Sequence, residues 1–361
     1  MQRMAYETDS SCQRGHSRSS SFEPLSVCDW HMPSDASEDI GFGANVADFF
    51  MRVFSNQELD QLGRPTVDVI AEKLERGDWA GSTCLVERFW TELMTMLYSY
   101  SGWEKSILTY FAELDETPSD AVRLDAIQDY VTAPERAIDK RNSVERWRID
   151  VEQIKVLIES TQGAEAVLTC RRLREDALQV HDGMMSRVTA LLTLMYNEYG
   201  DDQLAEVLRR SMKPEAMDPD GTLPFREKIE KIIHFNRAHF QAFTLLEDDE
   251  KVTFIPDPCG SGARLIREGH YQSPRSGAMV RGPSPLTYGR DDLPVYCCHE
   301  PAMEMSSVLR TGVPIFIVDP PKDVGITPCK IYVYKDPVNI PASYFQRIGL
   351  ERPADLIAVS D

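Results

Sequence analysis

AEAVLTCRRLREDALQVHDGMMSRVTALLTLMYNEYG, residues 164–200, decides the fold. Met184, Val188, Leu191, Leu192, Met195 and Tyr199 recur at the spacing of one helical face. The stretch has no proline and predicts the longest helix of the chain. Its neighbours share the texture. SVERWRIDVEQIKVLIEST and SDAVRLDAIQDYV precede it, the latter stopped before Pro134. CLVERFWTELMTMLYSYSG and WEKSILTYFAEL read as two helices separated at Ser101-Gly102. TVDVIAEKLERG reads as a helix with Thr66 as N-cap and Gly77 as its stop. DQLAEVLRRSM and FREKIEKIIHFNRAHFQAF follow. Residues 44–243 are thus expected to form a helical domain. Residues 1–40, rich in Ser, Asp and Pro without apolar periodicity, are expected to be a disordered tail.

Near residue 244 the pattern changes. TLLEDDEKVTFIPDP, VPIFIVD and KIYVYKD carry the β-branched and aromatic residues of strands. EPAMEMSSVLRTG reads as a helix ended by Gly312, and IPASYFQRIG as a last short one. Between them lies a long Gly/Pro/Ser-rich segment, 270–294, expected to be an irregular loop that could cover a pocket as a lid. The fold class is therefore α+β: a large N-terminal helical region, then a smaller C-terminal α+β domain over 244–361 with a Cys/His cluster.

The formal net charge is −19, carried mainly by the N-terminal two-thirds. Such acidity argues against nucleic acid and anionic membrane as partners, since both need a basic footprint. No run of about 18 apolar residues predicts a membrane span, and the first residues lack the apolar core of a secretory signal. A cytoplasmic protein is expected, with its eight cysteines mostly reduced.

Four of those cysteines fall in the C-terminal part. Cys259 ends a strand, Cys297 and Cys298 stand beside His299 before a helix, and Cys329 precedes the strand KIYVY. None has the C-x₂-C spacing of zinc fingers. A fold that joins these junctions would gather three thiolates and an imidazole, a tetrahedral ligand set for zinc. The expected ligands are Cys259, Cys297, His299 and Cys329. Cys297 and His299, two apart, lie on one side of an extended chain, which leaves Cys298 for packing. The competing reading is buried structural cysteines. Glu300 is a candidate general base, with Glu304 one turn further on the same face. Gly260, Ser261 and Gly262 form a turn whose N–H groups could hold a carboxylate, assisted by Arg264. His181 beside Asp182 is a second candidate acid or base. His234 and His239, five apart, are poorly spaced to act together on one helical face. No nucleophile elbow, P-loop, H-E-x-x-H or dinucleotide fingerprint is present.

The order of features in YCCHEPAMEMSSVLRTGVPIFIVDPPKDVGITPCKIYVYKD, residues 296–336, preceded by a strand ending at Cys259, resembles two known families. One is the C-terminal part of the 4-vinyl-reductase-type small-molecule-binding domain. The other is the L-2-amino-thiazoline-4-carboxylate hydrolase family. The resemblance covers roughly residues 245–340. It implies an α+β pocket domain with Cys259, Cys297, His299 and Cys329 at the site.

Two functions follow as expectations. One is a zinc-dependent enzyme of small-molecule metabolism, a hydrolase or lyase acting on a C–N or C–S bond of an amino-acid-like substrate. Glu300 and His181 would move protons, and Gly260, Ser261, Gly262 and Arg264 would hold the substrate. The other is a small-ligand sensor with a structural zinc. A homodimer is compatible with either.

Overall fold

The computed structural model describes residues 52–114 and 140–356. All of them belong to one compact unit. The expected helix SDAVRLDAIQDYV and the expected tail lie outside the described residues, as does most of ANVADFFMRVF.

Six helices come first: α1 (Asn56–Gly63), α2 (Thr66–Glu75), α3 (Trp79–Leu114), α4 (Lys140–Glu159), α5 (Gly163–Ser211) and α6 (Phe225–Arg237). Helix α5 is the axis. From Met184 to Met195 it is buried almost all round, as a helix packed on every side must be. Helices α2, α3 and α4 pack on it. Glu104 of α3 ties three of these helices, accepting from Lys140 of α4 (2.7 Å) and from Arg187 Nε of α5 (2.9 Å). At Gly200 (φ 79°) the chain leaves helical geometry, so DQLAEVLRRSM continues α5 after a kink.

Two expected details are corrected. Helix α3 runs unbroken through Ser101-Gly102. One interior glycine costs about 1 kcal/mol, whereas each buried large side chain contributes roughly 1.5–3. The buried stripe Leu93, Leu97, Tyr100, Trp103, Ile107 therefore carries the helix across. Pro65, not Thr66, caps α2, and the Thr66 hydroxyl donates instead to Glu92 Oε1 (2.7 Å).

The C-terminal part adds β1 (Phe243–Glu247), β2 (Lys251–Pro256), α7 (Gly262–Arg267), β3 (Met279–Arg281), β4 (Asp292–Pro294), α8 (His299–Thr311), β5 (Ile317–Asp319), β6 (Lys330–Tyr334) and α9 (Ala342–Gln346). Strands β1-β2-β6-β5 form one antiparallel sheet, with Leu245 opposite Phe254, Val252 opposite Val333, and Ile317 opposite Tyr332. TLLEDDEKVTFIPDP is thus a hairpin rather than a single strand. Helix α8 stops at Gly312, as expected. The architecture is α+β, with a large helical region followed by the smaller sheet-bearing part.

The segment 270–294 is not an irregular lid. It contains the β3–β4 hairpin, with Val280 opposite Leu293 and both buried. It is also fastened to the axis helix. Asp182, Ser186, Thr193 and Tyr196 lie within one face of α5. They bond in chain order to Arg264 Nη2 (2.6 Å), His270 Nδ1 (3.2 Å), Ala278 N (3.1 Å) and Arg281 N (3.1 Å). This polar seam positions the C-terminal part on the helices.

The start of the described chain is pinned by a buried carboxylate. Strand β1 alternates, with Phe243, Leu245 and Glu247 inward. Glu247 accepts from Val53 N (2.7 Å) and Phe54 N (3.0 Å) and pairs with Lys335 (2.8 Å). Replacing it by Ala removes the acceptor of two backbone donors and one ion-pair partner of the partly buried Lys335. Glu247→Ala is expected to lower the unfolding free energy by roughly 3–5 kcal/mol, read from urea unfolding curves. A change within 0.5 kcal/mol would show the contact to be dispensable.

Candidate functional site

Six segments deliver chemistry-bearing side chains to one junction between helices and sheet. Helix α3 supplies Tyr100 and Trp103, three apart and both buried. Helix α5 supplies His181 and Asp182. The turn after α6 supplies His239, because the helix ends at Arg237 and Phe240 takes a left-handed conformation (φ 55°). The loop after β2 carries Cys259. The 3₁₀ turn Val295–Cys298 and the start of α8 carry Tyr296, Cys297, His299 and Glu300. Cys329 comes from the connection into β6.

Close backbone approach brings the loop after β2 to this junction. Gly260 N donates to Gln241 Oε1 (2.6 Å), and a Cβ at Gly260 would stand 2.5 Å from the His239 carbonyl. A Cβ at Gly262 would meet the Cys297 sulfur at 2.4 Å. Only glycine lets the loop lie this close.

The imidazoles are linked. His181 Nδ1 donates to Asp182 Oδ1 (2.9 Å), and its Nε2 lies 3.1 Å from His239 Nδ1. The Tyr100 hydroxyl is 3.4 Å from the first of these facing nitrogens, 3.3 Å from the second, and 2.7 Å from the Tyr296 hydroxyl. His299 Nδ1 donates to the Tyr296 carbonyl (2.7 Å), while Nε2 faces Glu300 Oε1 at 3.2 Å. The His299 ring packs on Trp103 with centroids 5.2 Å apart. The Trp103 Nε1 donor has no hydrogen-bond partner among the described residues.

Burial and neighbours set the charges. Burial, with Arg264 adding to it, lowers His181 to about 3. Burial lowers His239 to about 3 as well, helped by His181 and His299 and opposed by Glu300. Burial opposes charge on His299 too, but Glu300 and the Tyr296 carbonyl outweigh it and raise that group. Burial pushes the Cys297 thiol well up, and Cys329, Cys259, Cys298 and Glu300 add to the effect. Cys329 rises to about 12 by burial, reinforced by Cys259 and Glu300. The three thiols Cys259, Cys297 and Cys329 thus lie close enough to influence one another. Cys297 and Cys329 are protonated at neutral pH, which argues against a resting thiolate nucleophile.

The expected residues fare differently. Cys259, Cys297, His299, Cys329 and Glu300 share the junction. Yet among the described residues no three His, Cys, Asp or Glu side chains stand together where they could hold a metal ion. His299 Nε2 is turned to Glu300. The donor types suit zinc, but their placement is not a formed tetrahedral site. Cys298 is fully buried, with its thiol toward the Pro294 carbonyl (3.6 Å). Arg264 does not wait for a substrate carboxylate. It donates to Asp182 (2.6 Å) and to Glu268 (2.8 Å). The N–H of Gly260 is taken by Gln241, and Ser261 Oγ lies 3.7 Å from the Cys259 sulfur. His181 is wholly buried with both nitrogens engaged, so it cannot touch a substrate. Glu304 turns away from the cluster. Its Oε1 accepts from Tyr288 (2.6 Å) and Val318 N (2.7 Å), and burial raises it to about 7 against the pull of Arg347.

His239, Tyr100, Trp103 and Tyr296 were not expected at the site. The spacing rule for His239 assumed that α6 continues past it, and the helix ends two residues earlier. No local signal marks the tyrosines and Trp103, which read as core.

No helix among the described residues is long and apolar enough to cross a membrane. No family model, no curated protein and no solved structure matches the chain.

Three histidines whose charged form the fold disfavours predict acid sensitivity. Burial also lowers His234 to about 4, with Arg88 and Arg237 adding to it. The unfolded chain protonates His181, His234 and His239 near 6.5, the folded one near 3 or 4. Between these values the unfolded state binds more protons. Their contribution is complete above 6.5 and is lost as pH falls toward 4. Unfolding free energies measured from pH 7 to 4.5 are expected to decline. His234→Asn, bonded to Thr95 (2.8 Å) rather than to the cluster, is expected to make that decline shallower. An unchanged slope would mean that His234 titrates in the fold as it does unfolded.

Proposed function

We propose that the chain is an enzyme of small-molecule metabolism, working at this junction by hydrolysis or elimination at a C–N or C–S bond of an amino-acid-like substrate. The observation that supports it best is the convergence of three thiols, His239, His299 and Glu300 from separate segments onto one partly buried spot. Burying so many polar groups is unfavourable unless they are satisfied, and here the Trp103 donor is not. Opposed environments, one imidazole whose charged form is disfavoured beside one whose charged form is favoured, are the usual setting for acid–base work. The resemblance of residues 245–340 to small-molecule-binding and hydrolase families is the reason for the substrate class.

Zinc is the metal of this proposal, with Cys259, Cys297, His299 and Cys329 as its ligands. As the side chains stand they do not fit it. Binding would require His299 Nε2 to leave Glu300 and the thiols to ionise. A cytoplasmic setting, which keeps thiols reduced, and a homodimer belong to the same proposal.

A second reading, a small-ligand sensor with structural zinc, follows from the same four ligands, because four protein ligands close a zinc site and leave no open position for a substrate.

Elemental analysis of tag-free protein tests the ligand assignment. About one zinc per chain is expected in the wild type and in Cys298→Ser, with loss in Cys259→Ser and Cys329→Ser. Equal metal in all four would reject the ligands. Turnover of small amino-acid-like amides or thioethers separates the enzyme from the sensor, which would bind them unchanged.

A further inference from the structure

Asp182 gives one carboxylate oxygen to His181 Nδ1 (2.9 Å) and the other to Arg264 Nη2 (2.6 Å). A carboxylate only accepts, so His181 Nδ1 carries the proton. His181 is fully buried next to a guanidinium, where a second proton is unfavourable. Its Nε2 is therefore bare. That nitrogen faces His239 Nδ1 at 3.1 Å. Two bare nitrogens repel at this distance, so the proton between them belongs to His239 Nδ1. Desolvation, with His181 and His299 adding to it, keeps His239 itself neutral, which leaves its Nε2 bare.

The Tyr100 hydroxyl does not change this assignment. Its shortest contact is with Tyr296 (2.7 Å), and it lies farther from both imidazoles than they lie from each other. His239 Nε2, on the far side of the ring from His181, has no hydrogen bond among the described residues. His239 is only half-buried, and His299 and Glu300 are near enough to act on it.

We propose that Asp182, His181 and His239 form a relay that makes His239 Nε2 the proton acceptor of this site, with Asp182 and His181 as positioning residues. The inference rests on reading the junction as an active site. A proton leaving a substrate or a water arrives at His239 Nε2. His239 keeps its Nδ1 proton, donated to His181 Nε2, and carries the positive charge, while the Asp182 carboxylate, through the neutral His181, holds the ring in place. Release of the Nε2 proton to the product restores the neutral ring. One proton enters and one leaves, and no other reactant is needed.

The relay fixes tautomers, and nitrogen-15 NMR of the full chain with labelled histidine reads them directly. His239→Gln assigns the His239 signals. At neutral pH, His181 and His239 are both expected with Nδ1 protonated and Nε2 bare. Asp182→Asn should invert both. Arg264 keeps the single amide oxygen, so the amide N–H faces His181 Nδ1. His181 then carries its proton on Nε2, and His239 accepts at Nδ1 and is protonated at Nε2. Carbethoxylation of His239 by diethyl pyrocarbonate, followed by peptide mass, should slow by about tenfold or more in Asp182→Asn. A wild-type His239 protonated at Nε2, or an unchanged tautomer in a folded Asp182→Asn, overturns the relay. If that variant does not fold, the wild-type spectrum alone decides. Absence of zinc and of turnover would reject the proposed function and leave these tautomers as found. Wrong tautomers would reject the relay whatever the metal content or turnover.

Discussion

A helix buried on every side has no solvent for its polar side chains, and this constraint organises the molecule. Helix α5 carries His181, Ser186, Thr189 and Thr193 through the core, with the part-exposed Asp182 at its edge. Thr189 turns back to the Met185 carbonyl (2.8 Å), the local answer open to a hydroxyl in a helix. The others need partners from elsewhere, because an unsatisfied buried group costs about 1–3 kcal/mol. They find them in the chain from His239 to Arg281. The C-terminal part is therefore placed by hydrogen-bond demand from the helix as well as by apolar burial. The same demand brings Arg264 and His239 to the ends of the relay.

Much of the fold was readable because it rests on periodic burial. The apolar repeat of 164–200 marks the axis helix. The change of texture at 244 falls beside the start of β1, and Gly312 ends α8 where a C-cap glycine should. The misreadings have local causes. Gly102 is a weak breaker set against a strong buried stripe. The β3–β4 hairpin is only three residues on each side, too short for its alternation to stand out from the glycines and prolines around it. Its anchors are single hydrogen bonds to α5, which no pattern within 270–294 reveals.

The site was legible in residue type and much less so in role. Cysteine placement at structural junctions pointed to Cys259, Cys297 and Cys329, and these do approach one another. Roles depend on partners distant in sequence. Arg264 reads as an anion receptor until Asp182, 82 positions away, is seen to occupy it. His181 reads as an accessible acid or base until its burial is known. His239 reads as an unremarkable helix residue until the helix is seen to end before it. Each assignment turns on where one hydrogen-bonding atom is already committed, which spacing along the chain does not encode.

The polar seam has a consequence for inheritance. The thiols Cys259, Cys297 and Cys329 lie in the sheet-bearing part, but the histidine facing His239, and the carboxylate behind it, belong to α5. A recombination event that moved residues 244–361 onto another scaffold would carry the thiols and leave the imidazole relay behind. The two parts can therefore change partners only together. Within the seam, a change at Asp182, Ser186, Thr193 or Tyr196 removes a partner from the segment bonded to it.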